Sequence, residues 1–467
     1  MAAFLLDSAA KSPELISLDI LRTKNPEHAL EQWLAKSVTP WDCLAVRYEY
    51  VQYYLPDSPV IELLAIFQQL EGQTTFTVTA LDKLLVDQLT VLDHDCFDLG
   101  DFCVAYGFPL LFLDRPMRLE PVAIDKPWGR EIWFTGIEQR GQSYVSDGVA
   151  RSPLPWVLSA APRRLAAGAE RHINLLKILD PLPEEVYGDL YFELHEEKRE
   201  VYVVTHIDRC AWPEGKGAIR FGFDPEVKAA YSSDEDFRAD FLAAVKRYEV
   251  VRREIDDLFD RQREALGIDA NVPVPASCLQ GWFGELPEHL QQQERQLRED
   301  MNRFTALLPL SVGNVVKVPL LTPHALQHGV RTVEFQTPVY ERRILSFAQK
   351  VLTQGHWDTE QAVAMMSLEP PDLPKLTILE EGLGYLLVEV VTFDDFRVWR
   401  LTLLPGSGYL VPATGCYGLL MAIDGVVVLG GLHLLMEEAV LLPAERTETL
   451  LINQSAKDAV VLIARPT

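Results

Sequence analysis

Residues 175–204 read LLKILDPLPEEVYGDLYFELHEEKREVYVV. Short runs of Leu, Ile, Val, Tyr and Phe, split by Pro and Gly, predict β-strands. Within them Glu193, Leu194 and His195 are followed by Glu200. Positions i and i+2 of a strand face the same side, so Glu193 and His195 project together. The charged run EEKR between His195 and Glu200 can turn the chain into an adjacent strand, bringing Glu200 beside them. Imidazole nitrogen and carboxylate oxygen converging in this way suit a divalent metal such as zinc. Taken alone, Glu-x-His-x4-Glu is a weak signal, because surface strands often carry such letters.

Outward from this stretch, β texture extends from Pro121 to about Asp208, including KPWGREIWFTG (126–136). Residues from about 232 to 305 become helical: Ser232 with Glu235 forms a capping box. Phe237, Phe241, Val245, Tyr248, Val251, Ile255 and Leu258 then recur at three- or four-residue spacing. That stripe predicts a helical insertion packed on a β core. Strand texture returns at Leu310, and VPLLTPHALQHG (318–329) offers His324 as a fourth metal ligand. Beyond the Pro-rich LEPPDLPKL (368–376) the chain is all β, with Asp424-Gly425 as a hairpin signal. Two β-rich halves flanking a helical insert suggest duplicated barrels. Residues 1–115 mix helical and strand-like stretches, such as ALDKLLVDQL, and show no catalytic constellation. DHDCFDLGD (93–101) reads as an exposed acidic loop.

Composition bounds the function. The chain has 467 residues, which suggests about three domains. Its 43 Lys plus Arg against 68 Asp plus Glu give a net charge of −25, which argues against a nucleic-acid partner. Six cysteines without a C-x-x-C pair fit reduced thiols in a cytoplasmic protein. The N-terminus lacks a basic region ahead of its short apolar run, so a secretory signal is not expected. Residues 417–436, the most apolar long stretch, carry Asp424 and several glycines and read as strands, not a membrane span.

Three ordered blocks together resemble the type I mannose-6-phosphate isomerases, or phosphomannose isomerases, of the cupin superfamily. KPWGREIWFTG is similar to their early Pro-Trp-Gly block. Residues 175–204 resemble their Leu-x-Lys-Leu stretch, metal-binding Gln-x-His strand and following Lys-x-Glu. VPLLTPHALQHGVRTVEFQTPVYERRI (318–344) resembles their Pro-x-Gly-x2-His-Ala segment with its later Glu and Arg. The resemblance covers roughly residues 121–467 and implies a mainly β fold with helical insertions. That fold is a double cupin-like barrel, or jelly roll, plus an N-terminal α/β extension. The implied division is 1–115 as an extension of unknown role, 116–375 as a catalytic barrel with an insertion at about 232–305, and 376–467 as a second barrel. It further implies one divalent metal on Glu193, His195, Glu200 and His324, zinc first, with manganese or iron(II) as alternatives. Lys177, Lys198 and Arg343 match the family's catalytic positions, with Arg342 open because of a one-residue gap. Glu334 matches an acidic position that can orient a ligand or pair with Arg331. The family has Gln where this chain has Glu193, a longer loop before Glu200, and a turn glycine where Leu321 stands.

The activity so implied interconverts mannose 6-phosphate and fructose 6-phosphate through a cis-enediol. That chemistry needs a base near C1 and C2 and positive charge on the developing enediolate oxygen. Lys177, on an apolar strand, is read as a lysine that burial could neutralise; its alternative reading is an ion pair with Asp180. For Arg343 the alternative is an ion pair with Glu341. His172, His206 and His328 read as core or rim histidines. The expected partner is a small anionic phosphosugar, with no nucleic acid and no membrane, and the oligomeric state is left open. The alternatives are an isomerase of another phosphosugar and a non-catalytic, sugar-binding regulatory cupin.

Overall fold

A computed structural model describes residues 20–36, 42–70, 72–81, 97–371 and 374–467. Alternation along three strands sets the layers. In Leu175–Pro181, Leu176 and Ile178 enter one core, while Lys177 and Leu179 face a cavity on the other side. In Glu200–Ile207, Val201 and Val203 join that first core, and Glu200 and Tyr202 face the cavity. Val330–Gln336 divides likewise, with Val333 and Phe335 against Glu334 and Gln336. A strand with one polar face is thereby held in register, because a slip of one residue would bury its charges in the wrong layer.

These three strands form the middle of a six-stranded sheet that also holds Val315–Val318, Gly129–Trp133 and Val122–Lys126. Facing it is a five-stranded sheet of Thr305–Leu310, Gly217–Phe223, His324–Leu326, Phe192–Leu194 and Arg343–Ser346. Leu194, Val204, Phe221, Val318 and Ile344 come from both sheets and share one core. A second sandwich pairs a nine-stranded sheet with a four-stranded one. Trp399, Leu401 and Val461 from the larger sheet meet Val427, Leu429 and Leu451 from the smaller. The nine-stranded sheet draws Met117–Glu120, Tyr144–Ser146 and Arg151–Pro153 from far upstream of the strands that follow residue 376. The two sandwiches stack through a large core in which Ile178 and Phe335 accompany Phe396, Val398 and Leu419. Each such side chain contributes about 1.5–3 kcal/mol on burial.

The class is mainly β, with 38% strand and 23% helix. Each expected barrel is realised as two open facing sheets; no sheet closes on itself among the described residues. Asp234–Leu266, Ala276–Glu285 and Glu288–Asn302 form the helical insertion. Phe237, Phe241, Val245 and Tyr248 bury against the first sandwich's core. Ser233, one residue beyond the expected cap, accepts from the Asp236 N–H, and Phe259 rather than Leu258 is buried. Ile20–Arg22, Cys43–Val51, Val60–Leu70, Gln73–Ala80 and Leu111–Phe112 build a separate five-stranded sheet whose Val46, Leu63 and Phe67 enter the stacking core. Asp98 caps the helix Leu99–Tyr106, so the described part of the acidic stretch has a structural use. Most of ALDKLLVDQL lies outside the described residues. Asp424-Gly425 does not close a hairpin: it passes the chain from Gly418–Asp424 in one sheet to Val427–Leu429 in the other. The hairpin there turns at Gly430-Gly431, both at positive φ. No helix among the described residues is long and apolar enough to cross a membrane.

Candidate metal centre and its cavity

The nitrogen and oxygen donors of His195, Glu200 and His324 lie within 4.8 Å of one another, all buried. They come from both faces of the first sandwich. His195 follows strand Phe192–Leu194 in the five-stranded sheet, and His324 begins the strand paired with it, opposite Glu193. Glu200 opens a strand of the facing sheet, so the EEKR turn crosses the sandwich and does not join neighbouring strands. Another backbone contact holds the two motifs together: the Leu321 N–H donates to the His195 carbonyl at 2.8 Å. Leu321 has φ 62°, the left-handed region where glycine is at ease. Leucine therefore carries strain at the position where the resembling family has glycine.

The donor set fits a divalent cation. His195 Nδ1 lies 2.9 Å from the Glu341 carbonyl, and His324 Nδ1 lies 3.0 Å from the Thr322 carbonyl. A carbonyl only accepts, so each Nδ1 carries the proton and each Nε2 presents a lone pair. Those lone pairs face the Glu200 carboxylate, at 3.4 Å from His195 and 3.2 Å from His324. Three electron-rich atoms turned on one point repel unless a cation sits among them, and the buried His195 Nε2 has no hydrogen-bond partner. Burial keeps the His195 pKa below its ordinary value, favouring the neutral, ligating form. Burial opposes charge on Glu200, but the Lys198 ammonium beside it holds its carboxyl well below the usual range. Lys198 Nζ is 2.6 Å from Glu200 Oε1, and the Tyr202 hydroxyl donates to Oε2 at 2.7 Å.

Glu193 stands beside this trio. Its Oε1 is 3.9 Å from His195 Nε2, and its Oε2 is 3.5 Å from Arg342. Arg342 is also stacked on Tyr191, 4.5 Å from the ring centroid. Of the two arginines Arg342 lines the cavity; Arg343 is half-exposed and pairs at 2.8 Å with Glu196 rather than Glu341. Lys177 does line the cavity, 3.2 Å from Glu334 and 4.0 Å from Glu131. Asp180 is instead taken by Arg130 and Arg331, and Arg331 also binds Glu437, so neither alternative pairing for Lys177 or Glu334 forms. Burial alone would lower the Lys177 pKa, but Glu131, Glu334 and Glu200 raise it above its ordinary value. Lys177 is thus a held cation, where the sequence suggests a neutral base. Of the other histidines, His328 bonds Asp189 and stacks on Trp212, while His172 and His206 are exposed.

Sequence reasoning passed over Lys126, Glu131 and Tyr202. Lys126 is buried, 3.4 Å from Glu131, and burial pushes its pKa down against that carboxylate's pull. Glu131 is brought to about 2: burial opposes its charge, but Lys177, Lys126 and a hydrogen bond from Trp133 outweigh it. Burial pushes the Glu334 pKa well up despite Lys177, and its Oε1 is buried without a hydrogen bond. The signal was alternation: Tyr202, Glu334, Lys177 and Trp133 occupy one row across four neighbouring strands. Gly129 keeps that row in place, since a Cβ there would lie 2.3 Å from the Asp180 carbonyl oxygen.

Solved structures are similar to this chain. The mannose 6-phosphate isomerase from Bacillus subtilis is 14% identical at TM-score 0.52, over 75% of this chain and 99% of that one. A phosphomannose isomerase variant from Salmonella typhimurium is 13% identical at TM-score 0.48, over 75% and 99%. A zinc-bound holo mannose 6-phosphate isomerase is 12% identical at TM-score 0.49, over 76% and 100%. The first likeness shows a common fold, and the chain has the cupin-type architecture of that structure. No family model matches the sequence. No curated protein matches it either.

Proposed function

We propose that this protein is a metal-dependent aldose–ketose isomerase that interconverts mannose 6-phosphate and fructose 6-phosphate through a cis-enediol. One observation carries the reading: His195, Glu200 and His324 converge beside a cavity that also holds Lys177, Lys198 and Arg342. The metal is one divalent ion, zinc first, with manganese or iron(II) as alternatives, held by His195, Glu200 and His324 with Glu193 adjacent. When bound it supplies a Lewis acid for the sugar's carbonyl and hydroxyl oxygens. Lys177, kept charged by Glu131 and Glu334, stabilises negative charge on the enediolate. Lys198 steadies Glu200 and adds a second cation. Arg342 replaces Arg343 as the arginine that meets an anionic substrate. Proton transfer falls to Lys126 and Glu334: burial lowers the lysine's pKa and raises the glutamate's. The chemistry lies in the first sandwich, within residues 116–375, although Met117–Glu120, Tyr144–Ser146 and Arg151–Pro153 of that span belong to the second.

The test is isotopic. Fructose 6-phosphate incubated in deuterated water should yield mannose 6-phosphate deuterated at C2, without oxygen uptake. Metal-loaded protein that never exchanges that hydrogen would end the proposal. A second reading, isomerisation of a different phosphosugar, rests on the Glu193–Arg342 pair, which occupies part of the charge a phosphate would use. Turnover across a panel of aldose and ketose phosphates separates the two.

A further inference from the structure

The second sandwich carries arginines that no acid answers among the described residues. Arg397 and Arg465 stand directly opposite one another on neighbouring strands, in the inward-facing row that continues to Trp399 and Ile463. Like charges in that register repel. The Arg465 guanidinium lies 3.9 Å from the Trp399 ring centroid. Arg446 is only 6% exposed and spends its terminal nitrogens on the carbonyls of Val411, Pro412 and Thr447. The Nε atoms of all three arginines are buried and lack a hydrogen-bond partner among the described residues. Two acids of this sheet are engaged elsewhere: Glu389 accepts from Thr392, and Glu380 accepts from Tyr385. Arg446 and Arg465 line a cavity of about 690 Å³, open space at its mouth included, whose walls include Leu387, Trp399, Leu442 and Ile463. It shares no residue with the cavity beside the metal centre. Burial pushes the pKa values of both arginines down, against the pull of the nearby Cys416 thiol.

We infer that this cavity is a second ligand site, which binds a small organic carboxylate with an apolar ring or aliphatic body. The Arg465 guanidinium, engaged by no hydrogen bond or ion pair among the described residues, offers planar, charge-assisted donors that match a carboxylate. The aliphatic walls disfavour a polyhydroxylated sugar, because each buried hydroxyl would need a partner they do not provide. The ligand class therefore differs from that proposed for the first sandwich, and the inference stands independently of it.

Titration calorimetry on the full chain tests this with phenylacetate, indoleacetate and hexanoate as probes. At least one should bind with a Kd of about 1 mM or tighter. Phenylacetamide, isosteric but uncharged, should bind at least roughly tenfold more weakly than phenylacetate, the worth of one charged hydrogen bond. Arg465→Gln and Arg397→Gln are the chosen variants, since Arg446 also holds three backbone carbonyls; Arg465→Gln should weaken binding about tenfold or more. The Trp399 indole N–H resonance should shift on binding in the parent and stay still in Arg465→Gln. Failure of all three carboxylates to bind, or equal binding by Arg465→Gln, overturns the inference. Displacement of phenylacetate by equimolar inorganic phosphate would overturn it too, by showing that the apolar walls contribute nothing.

Discussion

In the first sandwich, two imidazole lone pairs and a carboxylate face each other across the layers, an arrangement that only a cation relieves. In the second, arginines face inward without carboxylates among the described residues, an arrangement that suits an anion. Both sandwiches are built from the same alternation of apolar and polar positions on antiparallel strands. The contrast teaches that the fold supplies paired walls, while the few polar residues on the inward rows decide the sign of what enters. The first cavity is also internally balanced, each lysine lying against a glutamate, so a bound divalent ion would tip it toward an anionic substrate.

The strongest attempt to break this contrast removes the carboxylate of the metal centre. Glu200→Gln should lower isomerase turnover about 10³-fold and abolish stoichiometric metal, measured by elemental analysis, because it also strands Lys198. Retention of one metal per chain would contradict the assigned ligands. Next, Lys177→Met should cut turnover roughly 10²-fold, and urea unfolding should show a loss of about 3–5 kcal/mol as two buried glutamates lose their cation. Acid then sharpens the picture. Glu131 has a folded pKa of about 2 against an ordinary 4.5, so its stabilisation is present above the unfolded value and is lost as pH falls toward 2. The loss should be roughly 2–3 kcal/mol, visible as a slope in stability below pH 4.5 that Glu131→Gln flattens. Arg342→Gln should raise KM for the sugar phosphate about tenfold, whereas Arg343→Gln, at an exposed pair, should change turnover less than about twofold. The smallest effect is at Leu321: glycine relieves its φ but gives up apolar contact, so thermal unfolding should register a change within about 1 kcal/mol.

Much of this was legible in sequence, for physical reasons that differ by residue. Phe237, Phe241, Val245 and Tyr248 announced a buried helical stripe because apolar side chains at that spacing line one face of a 3.6-residue turn. Glu193, His195, Glu200 and His324 were found by letters and spacing, and three of them meet. What spacing could not say was that the EEKR turn crosses to a facing sheet, since a four-residue connection serves a hairpin or a corner equally well. The same ambiguity misdirected Asp424-Gly425 toward a hairpin. Lys177 as a neutral base failed because its partners, Glu131 and Glu334, lie far from it along the chain and meet it only through strand pairing. Arg342 and Arg343 are adjacent on an extended segment, where neighbours point to opposite sides, so only the register against Leu194 separates them.

The central claim is that the trio His195, Glu200 and His324 holds one divalent ion on which sugar-phosphate isomerisation depends. It is tested by stripping metal from the purified protein and following fructose 6-phosphate to mannose 6-phosphate in a coupled assay during stepwise zinc, manganese or iron(II) re-addition. Turnover should be absent in the stripped protein and should rise to a plateau at one equivalent per chain. Turnover indifferent to metal, or stoichiometric metal binding with no turnover, would contradict the claim.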